Sequence, residues 1–134
     1  MPEPRSPALA ADCVVFDEHG ALLLIRRKFP PFQDRYALPG GFIDIGETTE
    51  DAARRELLEE TGIRAETIRL IGVYSDPARD PRRHVVSIAY LVQVSGQVPT
   101  AGDDAASAEF ISNWRDGPLA LDHDRIVADA LAML

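Results

Sequence analysis

Cysteine occurs once in this chain, at position 13, so an intramolecular disulfide and a thiolate zinc cage are both excluded. The apolar run around it marks Cys13 as a small buried residue. No stretch approaches the roughly eighteen apolar residues that a membrane-spanning helix requires. The opening MPEPRSPALAADCVVF is broken by prolines, an acid and an arginine, and it lacks the continuous apolar core of a secretory signal. These absences lead us to expect a soluble, cytoplasmic protein without a membrane partner. Basic residues are also in deficit, 14 Lys and Arg against 22 Asp and Glu for a net charge of −8. Phosphate backbones are gripped by basic stripes, so a nucleic-acid partner is not expected. There is no Walker motif, no G-x-G-x-x-G fingerprint and no Ser-His-Asp arrangement. Without repeat, low-complexity tract or linker, residues 1–134 read as one domain, long enough to bury a core of its own.

Acid, by contrast, is concentrated. Residues 41–63, GFIDIGETTEDAARRELLEETGI, hold seven carboxylates and two arginines, a local charge of −5, and the other 111 residues carry −3. The surrounding pattern sets this stretch in an α/β context. LAADCVVF and ALLLIRR read as a hairpin joined through DEHG. The proline-interrupted KFPPFQDRY leads to ALPGGFIDI, where adjacent Gly40 and Gly41 permit backbone angles that other residues disfavour and suggest a loop in close approach to something. A helix is expected from Thr48, its cap, with Asp51 three residues on, to Gly62 as the left-handed stop. RAETIRLIGVYS, HVVSIAYLVQV and the shorter AEFISNW read as strands. Asp122 is a candidate cap for a closing helix with Ile126, Val127, Ala130, Leu131 and Leu134 on its apolar face. Helices on both sides of a sheet follow from this order.

On the first helix, Glu56, Glu59 and Glu60 project from one sector of about 100°. Glu56 and Glu60 form a like-charge i, i+4 pair, and both lie near the helix C-terminus, where the macrodipole favours cations. Local stability does not choose this arrangement; a hard divalent cation explains it, since Mg²⁺ and Mn²⁺ prefer carboxylate oxygens shared with substrate phosphates. Such cations neutralise a diphosphate and lower the pKa of a bound water, and a glutamate left partly free can take the proton from that water. A solvated acidic face is the plain alternative for the trio taken alone.

Taken whole, the stretch resembles the complete Nudix box: Gly41, Glu47 after five residues, Arg55-Glu56-Leu57 after seven more, then Glu59-Glu60 and Gly62-Ile63. The preceding hairpin, the ALPGG lead-in and the later strands and helix follow that family's order over nearly the whole chain. The resemblance implies an α/β/α sandwich around a mixed sheet and hydrolysis of a nucleoside diphosphate linked to another moiety. It implies Glu56, Glu59 and Glu60 as metal ligands and catalytic carboxylates, Glu47 as an additional ligand, and Arg55 as the arginine that orients a box glutamate. Asp103, Asp104 and Glu109 are the available later acids, and Asp104 is kept as a further ligand or base. The cofactor implied is Mg²⁺, with Mn²⁺ as its alternative. The resemblance also admits a homodimer.

The segment VYSDPARDPRRHVVSIAYLV and the tail LALDHDRIVADAL are similar to those of small prokaryotic ADP-ribose pyrophosphatases. That implies cleavage of ADP-ribose to AMP and ribose 5-phosphate. A hydrolase of oxidised nucleoside triphosphates is the alternative within the same chemistry; a ligand-sensing module without turnover is the alternative of another class, disfavoured by the intact box and by the lack of room for a DNA-binding domain in 134 residues. Substrate contacts are expected from Gly40, Gly41, Arg27, Arg79, Arg82 and His84, with Arg83 in the same basic loop, against a solvated basic loop as the bland reading. Of Arg26 and Arg27, one faces the cleft because side chains alternate. Trp114 is read as covering core rather than stacking on a base, Tyr36 and Phe32 are open between those roles, and His19 and His123 are read as surface residues.

Overall fold

Side chains of the first strand, β1 (Ala8–Phe16), alternate between two faces, Ala11, Cys13 and Val15 on one and Val14 and Phe16 on the other, and each face has its own apolar cluster. The computed structural model describes residues 5–134; Met1 to Pro4, part of the segment read for a signal, lie outside the described residues. Eight further elements follow. They are β2 (Leu22–Arg27), β3 (Tyr36–Ala37), β4 (Gly40–Phe42), α1 (Thr49–Thr61), β5 (Thr67–Tyr74), β6 (Val85–Gln93), β7 (Ala105–Ile111) and α2 (His123–Leu131), with a short 3₁₀ turn at Trp114–Asp116. Among the described residues no helix is long and apolar enough to cross a membrane.

The expected hairpin is present, with Phe16 opposite Leu22. One seven-stranded sheet has the order β3-β2-β1-β6-β5, with β4 added to β1 and β7 to β2. The β1–β6 pair is parallel and the others are antiparallel, so the sheet is mixed. Ala52, Ala53 and Leu57 of α1 pack on the Cys13 face, and Ile126, Val127 and Ala130 of α2 on the Val14 face. This is the α/β/α sandwich, and it explains why β1 is apolar on both faces: each is covered by a helix. Cys13 is buried as expected, its Sγ 3.6 Å from the Ala53 carbonyl oxygen. The small Ala52 and Ala53 side chains let α1 lie close to the sheet.

Both ends of α1 are set as the sequence predicts. Thr48 Oγ1 accepts the Asp51 N–H at 3.0 Å. Gly62, at φ 72°, turns the chain left-handed and donates its N–H to Leu58 O. At α2 the expectation fails in part. Asp122 precedes the helix but makes no capping bond, because its carboxylate pairs with Arg79, and Leu134 is exposed beyond the helix end.

The glycine pair differs from expectation in a way that matters for the site. Gly40 and Gly41 belong to strand β4 rather than a loop, and neither has a positive φ. Glycine is needed there for space. A Cβ on Gly40 would overlap Asp12 Oδ1 and Ala11 O, and one on Gly41 would overlap the Glu56 carboxylate. A third close approach occurs at Gly102, whose Cβ would meet Glu59 O. Its N–H bonds Glu60 O at 2.8 Å, and Thr100 N bonds Thr61 O at the same distance. The segment before β7 thereby satisfies carbonyls at the end of α1, which has no basic residue in its last turn, and sets Asp103 and Asp104 beside the helix.

Candidate functional site

Arg55 binds three of the four box glutamates. Its Nε and Nη2 donate to Glu47 Oε2 and Oε1 at 2.6 and 2.9 Å, and its Nη1 to Glu56 Oε1 at 2.7 Å and Glu59 Oε2 at 3.2 Å. Nη2 also donates to the Phe42 carbonyl, which anchors the fork to β4. Hydrogen bonds from Arg55, with a further one from the Asp44 N–H, hold the Glu47 carboxyl at about 2, well below its ordinary value. Much of the repulsion expected on this helix is thus already compensated, though the compensation does not reach Glu60.

Glu60 has no cationic partner among the described residues. Its Oε2 accepts the Gly40 N–H at 3.0 Å, and Oε1 has no partner among the described residues. Burial pushes its carboxyl up to about 7, with Glu56, Asp12 and Asp104 adding to the rise and the Gly40 bond opposing it. Glu56 is shifted in the same direction, again chiefly by burial. Glu56, Glu59, Glu60, Asp103 and Asp104 line one cavity of about 310 Å³, floored by Gly40 and Gly41. Glu47 does not line it, being turned onto Arg55, and Glu109 lies exposed on β7 outside it.

No three acidic, histidine or cysteine side chains among the described residues are drawn together into a ready-made cation cage. The donor set nonetheless fits a hard divalent cation: every donor is a carboxylate oxygen, and Glu60 is a partly buried acid whose charged form lacks a counter-charge among the described residues.

A second cavity, of about 330 Å³, meets the first at Gly40, Gly41, Glu60 and Asp104, making one continuous cleft. Arg27, Arg79 and Arg82 line it as expected; His84 does not. The His84 Nε2 lies 2.9 Å from Ser75 O, and with Arg83 it faces a separate surface depression beside Arg5. Arg79 is withdrawn from solvent and Arg82 is exposed, yet neither is free. The Arg79 side chain is buried against Asp122 at 2.7 and 2.9 Å, and Arg82 forms a fork with Asp80 at 2.7 and 3.0 Å. Arg27 donates Nε to Pro31 O at 2.7 Å and has no acidic partner among the described residues. Arg26, next in the strand, points to solvent, as alternation requires.

Three polar residues of this cleft are not placed in it by the sequence. Asp12 is the one acid in an apolar strand; it is buried and accepts a hydrogen bond from the Ser87 hydroxyl. Asp80 is buried and held ionised by Arg82. His123, read as a surface residue, is buried with its Nδ1 accepting the Leu38 N–H at 3.0 Å. An acid inside an apolar run was the available signal for Asp12, since charge is buried there only for cause. His123 gave none, because a polar residue at a helix start is ordinary. Trp114 packs against Phe16, ring centroids 6.3 Å apart, with Arg115 over its ring, which supports the core reading. Phe32 covers a small core cluster while Tyr36 is exposed, and neither lines the cleft. His19 lies exposed in its turn.

Comparison with known proteins gives a consistent picture. The family model described as NUDIX domain matches residues 6–129. The chain is 47% identical over 123 residues to the ADP-ribose pyrophosphatase of Methanocaldococcus jannaschii, covering 92% of this chain and 72% of that protein. The NUDIX domain of Shewanella oneidensis NrtR, crystallised with ADP ribose, superposes with a TM-score of 0.90 at 27% identity, covering 96% of this chain and 89% of that one. A bifunctional NMN adenylyltransferase/ADP ribose pyrophosphatase from Francisella tularensis, complexed with AMP and a Mn ion, gives 0.85 at 27% identity over 98% of this chain and 43% of that one.

Proposed function

The chain belongs to the Nudix family, whose hydrolases use divalent metals, and from that premise we propose that it hydrolyses ADP-ribose to AMP and ribose 5-phosphate with Mg²⁺ as its cation. The observation that carries the reading is the joined cleft: a carboxylate cavity for the reaction opens into a cavity with one cationic wall for the rest of the substrate. The relative from Methanocaldococcus jannaschii and the ADP ribose complex support the choice of substrate.

In this reading Glu56, Glu59 and Glu60 hold the cation, with Asp104 as a further ligand, and Mn²⁺ serves in place of Mg²⁺. Bound there, the cation supplies neutralisation of the diphosphate and a lowered pKa for attacking water. Arg55 fixes Glu56 and Glu59 in their rotamers from behind, and Glu47 in turn fixes Arg55. Glu47 is therefore a positioning residue rather than a ligand. Gly40 holds Glu60 Oε2, leaving Oε1 to accept the proton of the water. Oxygen from the water bonds to one phosphorus, the bridging oxygen departs with the other, and its negative charge is met by Arg27 at the cleft wall.

A panel of ADP-ribose, dinucleoside polyphosphates, NADH and oxidised dGTP, assayed with Mg²⁺ and then Mn²⁺, tests this. We expect the highest kcat/KM on ADP-ribose. Preference for oxidised dGTP would replace the substrate, and tight ADP-ribose binding without turnover of any substrate would replace the enzyme with a sensor.

A further inference from the structure

We propose that His123 and Asp12 form a hydroxyl-reading pair on the inner wall of the arginine-lined cavity, selecting ligands that carry a furanose with free hydroxyls next to a phosphate. The inference rests on the ADP-ribose reading and assigns two residues on which that reading places no role.

The chemistry of the pair follows from what each side chain has already committed. His123 Nδ1 accepts the Leu38 N–H, so the single proton of the neutral ring resides on Nε2. Burial lowers the proton affinity of this imidazole and keeps it neutral. Nε2 has no protein partner among the described residues, and the ring lines the cavity, which makes Nε2–H a donor aimed at a ligand. Asp12 commits Oδ2 to the Ser87 hydroxyl, and Oδ1 lies against the bare Cα of Gly40. Oδ1 also lacks a protein donor among the described residues. The cavity therefore presents one fixed donor and one fixed acceptor, each open to the cavity on a residue that is otherwise buried.

A phosphate does not suit this wall, since Asp12 would repel it, and the nearby Arg79 and Arg82 are taken up by Asp122 and Asp80. A flat base is also poorly served: the inner wall is aliphatic, built from Ala10, Ile25, Leu38 and Val85, and the cavity's phenylalanines, Phe29 and Phe42, are exposed at its rim. A hydroxyl both donates and accepts. Adjacent hydroxyls of a furanose satisfy Asp12 and His123 together, and a ligand without them covers both groups and leaves them unpaired. Position agrees with this. Asp12 lies against Gly40, whose N–H holds Glu60, so the pair is beside the carboxylates proposed to act on the diphosphate, where the sugar joined to that diphosphate would lie.

Two conservative variants separate binding from folding. Asparagine places an oxygen near the His123 Nδ1 position and has nothing at Nε2; glutamine places an amide near Nε2 and loses the acceptor for Leu38. Calorimetric binding of ribose 5-phosphate and methyl phosphate, which contain no bond for the enzyme to cut, reads the pair directly. We expect wild type to prefer ribose 5-phosphate by roughly tenfold or more. H123N should erase most of that preference at unchanged melting temperature, and H123Q should retain it while melting lower. Absence of preference in wild type, or a preference that survives H123N, overturns the proposal. ADP-ribose hydrolysis measured on the same samples keeps the two readings apart. Hydrolysis without preference sinks the hydroxyl pair alone, and preference without hydrolysis sinks the proposed function alone.

Discussion

Glu60 Oε2 accepts the Gly40 N–H at 3.0 Å across the junction of α1 and β4, fixing a partly buried carboxylate where the two halves of the cleft meet. The bond holds the acid without supplying a counter-charge. Most of what the site does, and most of what it costs in stability, follows from that.

Glu60→Gln should lower turnover by about 10² to 10⁴ and raise stability in EDTA at neutral pH. The folded carboxyl titrates near 7 against an ordinary 4.5, so folding binds a proton between those values. A group whose folded pKa is raised contributes its stability below the unfolded value and loses it as pH rises through the folded one. Wild type without metal should therefore lose stability from pH 4.5 to 7, by on the order of 2 to 3 kcal/mol from this group. Urea melts at pH 5 and pH 8 in EDTA, with E60Q alongside, measure it. An equal pH response in E60Q would sink the assignment.

Glu47 has the opposite sign. Its carboxyl is held at about 2 by Arg55, so its contribution is present above 4.5 and is lost as pH falls toward 2. Arg55→Ala should abolish that acid-limb sensitivity and destabilise the fold by about 1 to 3 kcal/mol, because three carboxylates lose their donor at once. Arg55→Lys should rescue little, since an ammonium cannot reproduce the fork. Melting curves from pH 2 to 6 decide the matter.

Arg82 was expected to hold substrate directly, and its fork with Asp80 changes that expectation. Arg82→Ala and Asp80→Asn should perturb the same loop, and the double variant should be no worse than either alone. Arg27→Ala removes the one arginine of the cleft that has no acidic partner among the described residues, and it should raise KM for ADP-ribose roughly tenfold at nearly constant kcat. Additive effects of the Arg82 and Asp80 changes would return Arg82 to substrate.

Gly41→Ala tests the close approach of β4 to α1. Its Cβ would displace the Glu56 carboxylate, the movable end of a side chain, so activity and cation affinity should fall more than stability does. In Gly40→Ala the Cβ meets the Ala11 carbonyl in the backbone of β1, and the fold itself should lose about 1 to 3 kcal/mol or more. Isothermal titration with Mn²⁺ alone and thermal melts on both variants separate the outcomes. Equal melting of the two would refute the distinction.

Local sequence determined the elements and the chemistry. Two-residue alternation along Ala8–Phe16, a threonine cap and a glycine stop around Thr49–Thr61, and box spacing that puts Glu56, Glu59 and Glu60 on one side of a helix all act within a few residues of the chain. They were legible for that reason. What the tertiary structure decided lies between positions distant in sequence. It placed Asp12 beside Ser87 and Gly40, paired Arg79 with Asp122 across 43 positions, and put His123 under Leu38 across 85. It also decided which of the cleft's three arginines are spent on acids and which one remains. No periodicity encodes such pairings, because the free energy that fixes them comes from burying polar groups that must then find partners, and those partners exist only once the sheet and both helices have closed around them.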